Sequence, residues 1–540
     1  MAWSNQSRQG FSGSVMSECN LAKGQASNDQ VRLQSPLAGG NGWWRWITET
    51  ARRRRLADNR LGANGRTSSR TPLLHYFSPF VWAWFLVRAK RTLTVARDEI
   101  RLLRLGAEEV LPARKAVTTP VSNRTFYLVY NSLPFHSAGY ATRTHGLVAG
   151  LREQGFDTSI LTRLGYPRMF TKYQEAKFLE REEIDGVPYL RLDTSVTGLY
   201  GKSNRAYIRA NIEATLRAIS DSRPAIIHGA SNFVTGLTAI GVARALGVPS
   251  VYEVRGLWEI TALSRDPAYG NSLHYAQAVR LETEACLAAD KVIAITGALK
   301  DELVRRGVPA QKIEVVPNGV DTERFQPRAR DAKLSQKLGL RSDHVVVGYV
   351  GSILDYEGLD DLLRALRVTI DRGASNLRLL VVGDGAAYQD CLKLSSDLGL
   401  QDHAIFTGRI PHHEVEAYYS LIDIAPFARK PLPVCEMVSP LKPFEAMAMG
   451  KCVIVSSVAA LSEIVGDRPI ALVHEKGSIE GLADAIFRLA GDPELRQRIG
   501  SAARDFVVTE RDWRVLAQRV VHVYESLLAD RAQGRRAGWH

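Results

Sequence analysis

The sequence predicts an α/β protein: two doubly wound, Rossmann-like domains in tandem behind a basic N-terminal extension. Three observations lead there. Short Val- and Ile-rich segments alternate with helical stretches from about residue 120 onward, the pattern of a parallel sheet covered on both faces. The alternation halts at a Pro/Gly/Asn turn and a charged stretch, "VVPNGVDTERFQPRARDAK", and then begins again. At 540 residues the chain is also too long for one ordinary core. The divisions read as 1–118 for the extension, 119–325 and 326–515 for the two domains, and 516–540 for a helix and tail returning to the first domain.

The extension carries most of the charge. Residues 1–118 hold 19 Lys and Arg against 8 Asp and Glu, while the whole chain has a net charge of only +13. The basic character therefore belongs to an appendage, and no nucleic-acid reader fold accompanies it. Residues 1–70, rich in Gly, Ser, Asn, Gln and Arg, read as largely disordered. "GWWRWITETARRRRL" interrupts them, and Trp beside Arg suits a lipid headgroup interface.

Ser78-Pro79 then opens a helix near 79–105. Its apolar run Phe80–Val87 is far short of the ~20 residues that a membrane span needs. Downstream, Leu93, Ala96, Ile100 and Leu103 form one stripe, with Arg97, Arg101 and Arg104 beside it. Such a helix either packs on the next domain or lies in the plane of an anionic membrane, which residues 43–105 would then contact. Residues 1–20 are polar and do not read as a cleavable signal peptide. Cys19, Cys286, Cys391, Cys435 and Cys452 show neither CxxC nor Cys/His ligand spacing. They read as reduced thiols of a cytoplasmic protein, peripheral to the inner face of the membrane if the helix binds there.

In the first domain, strands are predicted at "TFYLVYN", "DTSILT", "PAIIHGA", "SVYEVRG", "KVIAIT" and "IEVVPN", with helices at 141–154, 206–219, 234–246 and 273–289. The second repeats the pattern with "HVVVGYVG", "LRLLVVGDG", "AIFTGRI", "IDIAPF", "KCVIVSS" and "IALVHE". Ligands of doubly wound sheets bind beyond the carboxyl ends of the strands, so two facing domains make a two-substrate cleft.

Several loops point into that cleft. "NSLPFHSAGYATRTHGL" places Gly139 just ahead of a helix, where free N–H groups favour an anion. Tyr140, Arg143 and His145 follow in its first turns. In "VGYVGSILDYEGLDDLL", Gly351 permits close backbone approach and Ser352 can donate to a phosphate. "LLVVGDGAAYQD" brings Gly383 and Gly385 to a strand end, but Tyr388 stands where the dinucleotide fingerprint needs its third Gly. No acidic residue ends the next strand, so NAD is disfavoured. "SPLKPFEAMAMGKCVIVSS" sets two ionisable residues where a loop becomes a helix. Lys442 suits a diphosphate, Arg429 can reach it as a fork, and Glu445 suits the paired hydroxyls of a ribose.

Together these segments resemble the retaining family 4 glycosyltransferases of the GT-B fold, over roughly 124–515. "VVPNGVDTERFQP", "GYVGSILDYEGLDDLLRAL", "LRLLVVGDGAAY", "AIFTGRIPHHEVEAYYSLIDIAPF" and "SPLKPFEAMAMGKCVIVSSVAALSEIV" carry the resemblance in order. "DWRVLAQRVVHVYESLL" looks like the family's last helix, which crosses back to the first domain.

The resemblance implies sugar transfer from a nucleotide-sugar, UDP- or GDP-linked, with retention of configuration and without a bound metal or other cofactor. The acceptor would be a glycan, a lipid-linked glycan or a small molecule. Glu445 would hold the ribose, and Gly351, Ser352 and Lys442 would face the diphosphate. Gly408, Arg409 and Ile410 would edge the base, and Gly385, Arg429 and Pro443 would complete the donor site. The Gly139 loop would lie between donor and acceptor.

Three positions depart from the family pattern. Met437 stands where a first glutamate is common, with Glu436 displaced by one. Glu357 precedes Gly358 where a phosphate-binding lysine is usual. Arg255 occupies a strand end that often presents histidine, where it can contact phosphate or sugar but not act as a base. Lys442, Arg255 and Glu436 are the catalytic candidates. Two alternatives compete: a degenerate, non-catalytic protein serving as a membrane-associated assembly partner, and a sugar-nucleotide epimerase using His228 or His136.

Overall fold

The computed structural model describes residues 79–115, 123–175, 179–192 and 202–533. The expectations for the tail and its Trp/Arg segment lie outside them. Two sheets organise the chain. The first has β1 (Arg124–Val129), β2 (Asp157–Thr162), β3 (Arg181–Ile184), β4 (Val187–Arg191), β5 (Ile226–Ala230), β6 (Ser250–Val254), β7 (Lys291–Ala294) and β8 (Ile313–Val315) in the order β3-β4-β2-β1-β5-β6-β7-β8. It is parallel except for the antiparallel pair β3–β4. The second, parallel throughout, has β9 (Val345–Val350), β10 (Leu377–Val382), β11 (Ala404–Gly408), β12 (Ile424–Phe427), β13 (Cys452–Ser456) and β14 (Leu472–His474) in the order β11-β10-β9-β12-β13-β14. In each sheet the order reverses beside the first strand, at β1/β5 and at β9/β12. Doubly wound sheets open their ligand crevice at that place.

Strand side chains alternate between two apolar layers. Val346, Leu380 and Val455 face one core, while Val347, Leu379, Val381 and Ile454 face the other. The second layer is closed by Leu362, Leu363 and Leu366 from the helix Leu359–Asp371 and by Leu482, Ile486 and Leu489 from Ile479–Gly491. The predicted strands are all present.

The segment between β2 and β5, for which no strand is predicted, contains the hairpin β3–β4. Its turn is Asp185-Gly186, both with positive φ (47° and 75°), the conformation of a tight hairpin turn. The segment after β6 holds the helix Trp258–Arg265, also not predicted.

The last helix, Trp513–Ala532, lies on the first domain against Gly139–Glu153. Gly146 and Gly150, one turn apart, make room for it. A Cβ on Gly146 would come within 2.4 Å of Trp513, and one on Gly150 within 2.7 Å of Ala517. The Pro79–Leu105 helix docks on the same domain: Ser203 donates to Asp98, Gln277 donates to Glu99, and Leu102 is fully buried.

Candidate donor site

Three glycines end the strands of the second crevice. Gly351, Gly383 and Gly408 all have positive φ, and their backbones interlock. Gly351 N–H donates to Val382 O at 2.8 Å, and Gly383 N–H to Gly408 O at 2.9 Å. A Cβ on Gly383 would sit 2.0 Å from Gly351 O, and one on Gly385 2.1 Å from Ile353 O. Only glycine fits this approach. Arg409, just past β11, is exposed, while Ile410 packs partly into the core. Ser352 is exposed, and its carbonyl accepts from the Tyr349 hydroxyl at 2.8 Å.

Lys442 opens the helix Lys442–Ala448, with Pro443 in its first turn. Its stem crosses the face of Gly351, where an added Cβ would meet Lys442 Cε at 2.3 Å. The Tyr349 ring lies 5.3 Å from Nζ, and Nζ is 3.0 Å from Oε2 of Glu357. Oε1 of the same glutamate faces the Arg429 guanidinium at 3.5 Å. Gly358 explains how Glu357 gets there: at φ 74° its missing Cβ would lie 1.8 Å from Ala428 O, so the loop presses onto the end of β12.

Burial opposes the charge on Glu357, but Lys442 and Arg429 outweigh it and hold the carboxyl below its ordinary value. The two cations differ. Arg429 is buried, donates to Val438 O at 2.5 Å and faces the Tyr356 ring. The Lys442 side chain keeps 17% of its surface exposed. Glu357 thus pairs with both cations and anchors the Lys442 side chain. Sequence reasoning missed this role, because no spacing pattern links the loop before Gly358 to the loop before Pro443.

One turn on, Glu445 accepts from the Tyr419 hydroxyl at 3.1 Å through Oε2. Its other oxygen has no protein donor among the described residues. Burial raises this carboxyl above its usual value, and the Tyr419 bond offsets that only in part. Glu436 is engaged elsewhere. Its Oε2 accepts from the Ala459 N–H at the start of the helix Ala459–Val465, and its Oε1 pairs with Lys476, both at 2.7 Å.

In the first crevice the candidate residues turn inward. Arg255 donates to Glu253, Tyr127, Thr144 and the Tyr140 carbonyl. Arg143 is buried and reaches the same Glu253, then Val316 O and Pro317 O beyond β8, and Asn318. Asn318 in turn donates to Ser439 O at 2.7 Å, fixing the loop that leads to Lys442. Burial works against the charge of Glu253, and the two arginines override it, holding the carboxyl far below its ordinary value. His145 bonds to Tyr189 and Tyr140 to Asn131. Gly139 is the exposed residue of this group, and a Cβ there would lie 3.2 Å from Leu441 of the second domain. The crevices therefore meet at Gly139 and Leu441, next to Lys442.

The first-domain residues 138–319 match the family described as "Glycosyl transferase 4-like domain", and residues 331–506 match "Glycosyl transferases group 1". The chain belongs to the group 1 glycosyltransferases. Among its relatives is an alpha-maltose-1-phosphate synthase of Mycolicibacterium smegmatis, 26% identical over 59% of this chain and 83% of that protein. Another is a GDP-mannose-dependent alpha-(1-6)-phosphatidylinositol monomannoside mannosyltransferase of Mycobacterium tuberculosis, 31% identical over 39% of this chain; the match spans 55% of that protein. A sucrose-phosphate synthase from Thermosynechococcus elongatus shares the GT-B fold, with a TM-score of 0.61 at 20% identity over 76% of this chain and 100% of that one.

Within this glycosyltransferase the epimerase candidates are structural. His228 is fully buried, stacked on Tyr127 and bonded to Tyr524, and burial drops it to about 3. His136 bonds to Tyr166 among Phe170 and Tyr173, and burial lowers it to about 4. Cys286, Cys391, Cys435 and Cys452 are free and buried.

Proposed function

We propose that the protein is a retaining transferase that takes a UDP- or GDP-linked sugar and delivers it to a glycan, lipid-linked or small-molecule acceptor. One observation carries the reading: Lys442 and Glu445 share a helical turn at the β9/β12 crevice, the lysine side chain partly open to solvent and one carboxylate oxygen of Glu445 bonded by no described residue. The carboxylate accepts the ribose hydroxyls. The ammonium neutralises the leaving diphosphate as charge develops on it, with the Gly139–Glu153 N-terminus as a second positive pole. Cationic side chains fill this role in place of a metal. The leaving phosphate assists the incoming hydroxyl on the same face, so retention needs no protein nucleophile. The GDP-mannose dependence of the mannosyltransferase relative supports a nucleotide-sugar donor.

Titration calorimetry against UDP and GDP, in a chelator and repeated with Glu445→Ala, tests the site. One nucleotide is expected to bind without metal and to weaken roughly 100-fold in the variant, the cost of losing a charged hydrogen-bond acceptor. No binding of either nucleotide to folded protein overturns the donor assignment. A non-catalytic binder is the rival reading, favoured by the engagement of Glu436 with Ala459 and Lys476. Release of free sugar from the bound donor would exclude it.

A further inference from the structure

We propose that the Pro79–Leu105 helix is a docking face for an anionic lipid bilayer, independent of the donor-site reading. The helix lies outside both family matches, at 138–319 and 331–506. One face is spent on the first domain. Asp98 and Glu99, the only acidic residues of the helix, are bound there by Ser203, Arg205, Asn204 and Gln277, beside the buried Leu102.

On the opposite face, no described residue covers Leu93 or Ile100. Leu93, Arg97, Ile100 and Arg104 recur at i, i+4, i+7 and i+11 and so share one stripe. Leu93 is 70% exposed and Ile100 52%, and Lys90, Arg97 and Arg104 are exposed too. None of these three cations has an acidic partner among the described residues, whereas Arg101, at the edge of the stripe, is paired with Glu109.

Charge chooses the occupant. Aliphatic side chains interleaved with unpaired cations, with every acid turned away, match the boundary between anionic headgroups and acyl chains. The sequence of the same helix begins PFVWAWFLV, apolar throughout, yet no described helix is long and apolar enough to cross a membrane. The helix would therefore lie in the surface.

Co-sedimentation of the full chain with phosphatidylcholine vesicles, and with equimolar phosphatidylcholine and phosphatidylglycerol, tests this. The full chain is expected to sediment only with the anionic vesicles. Lys90→Glu/Arg97→Glu/Arg104→Glu should weaken binding by at least about 100-fold, since each basic residue near an anionic surface contributes a factor of about 5. Leu93→Ser/Ile100→Ser should weaken it at every salt concentration. Both variants alter exposed positions, and unchanged melting confirms their folding. Absence of binding by the full chain overturns the proposal. So does equal binding by the triple variant, which would assign the contact to another part of the chain.

Discussion

The two crevices use the same device, a buried glutamate between two cations, to opposite ends. In the first domain Glu253 sits between Arg143 and Arg255, and both guanidiniums are fully occupied by protein oxygens. In the second, Glu357 sits between Arg429 and Lys442, and the lysine remains open to the crevice. A closed knot is architecture: it joins β1, β6, the Gly139 helix and the segment after β8. An open knot presents a charge. The difference lies in which partner keeps solvent contact, not in the number of ion pairs.

Breaking the closed knot should have the largest effect, and on stability. Glu253→Gln leaves two buried guanidiniums without their counter-charge, a cost of roughly 3–5 kcal/mol. Thermal melting should fall by about 10 °C, while nucleotide affinity per folded molecule stays unchanged by calorimetry. A parallel loss of affinity would show that the first crevice also contacts the donor.

Breaking the open knot should reverse that balance. Lys442→Met keeps the packing on Gly351 and removes the ammonium. It should cost about 100- to 1,000-fold in kcat/KM, as for other lost electrostatic contacts to a developing charge, with a smaller drop in melting temperature. Glu357→Gln should weaken the nucleoside diphosphate roughly 10-fold by releasing Lys442 from its anchor. Neither variant should change the affinity of the nucleoside alone. Equal losses for nucleoside and diphosphate would remove Lys442 and Glu357 from the phosphate side of the site.

How far the sequence reveals this depends on the range of the interaction. Strand and helix periodicity is local, so all twelve expected strands are present. β3–β4 escaped because "REEI" and "VPYLR" carry charges and a proline on an edge, although Asp185-Gly186 is a hairpin signal. That Lys442 and Glu445 lie on one helical turn was readable because the spacing is local. The pairing of Glu357 with Lys442 was not, since it depends on two loops meeting beneath Gly351. Arg255 shows the remaining gap. A strand end can be located from sequence, but whether its side chain turns to the cleft or to Glu253 depends on what is buried behind it.

The smallest and most diagnostic effect concerns Glu445. Burial raises its carboxyl, so the ionised form is disfavoured in the free protein. The ionised form accepts the paired ribose hydroxyls through both oxygens and more strongly than the neutral acid, so donor binding pulls the pKa back down. As pH falls through the raised value, the group protonates first and binding must expel that proton. Nucleotide affinity should therefore begin to fall at a pH above the ordinary glutamate value of about 4.3, and by at most about tenfold per pH unit. Below that point, calorimetry in buffers of different ionisation enthalpy should register proton release. Glu445→Gln should flatten the profile at lower affinity. It should also melt slightly higher than the parent without ligand at neutral pH, because a raised carboxyl costs stability above its unfolded pKa. A profile unchanged by Glu445→Gln would place the ribose elsewhere and leave this carboxylate as a partner of Tyr419 alone.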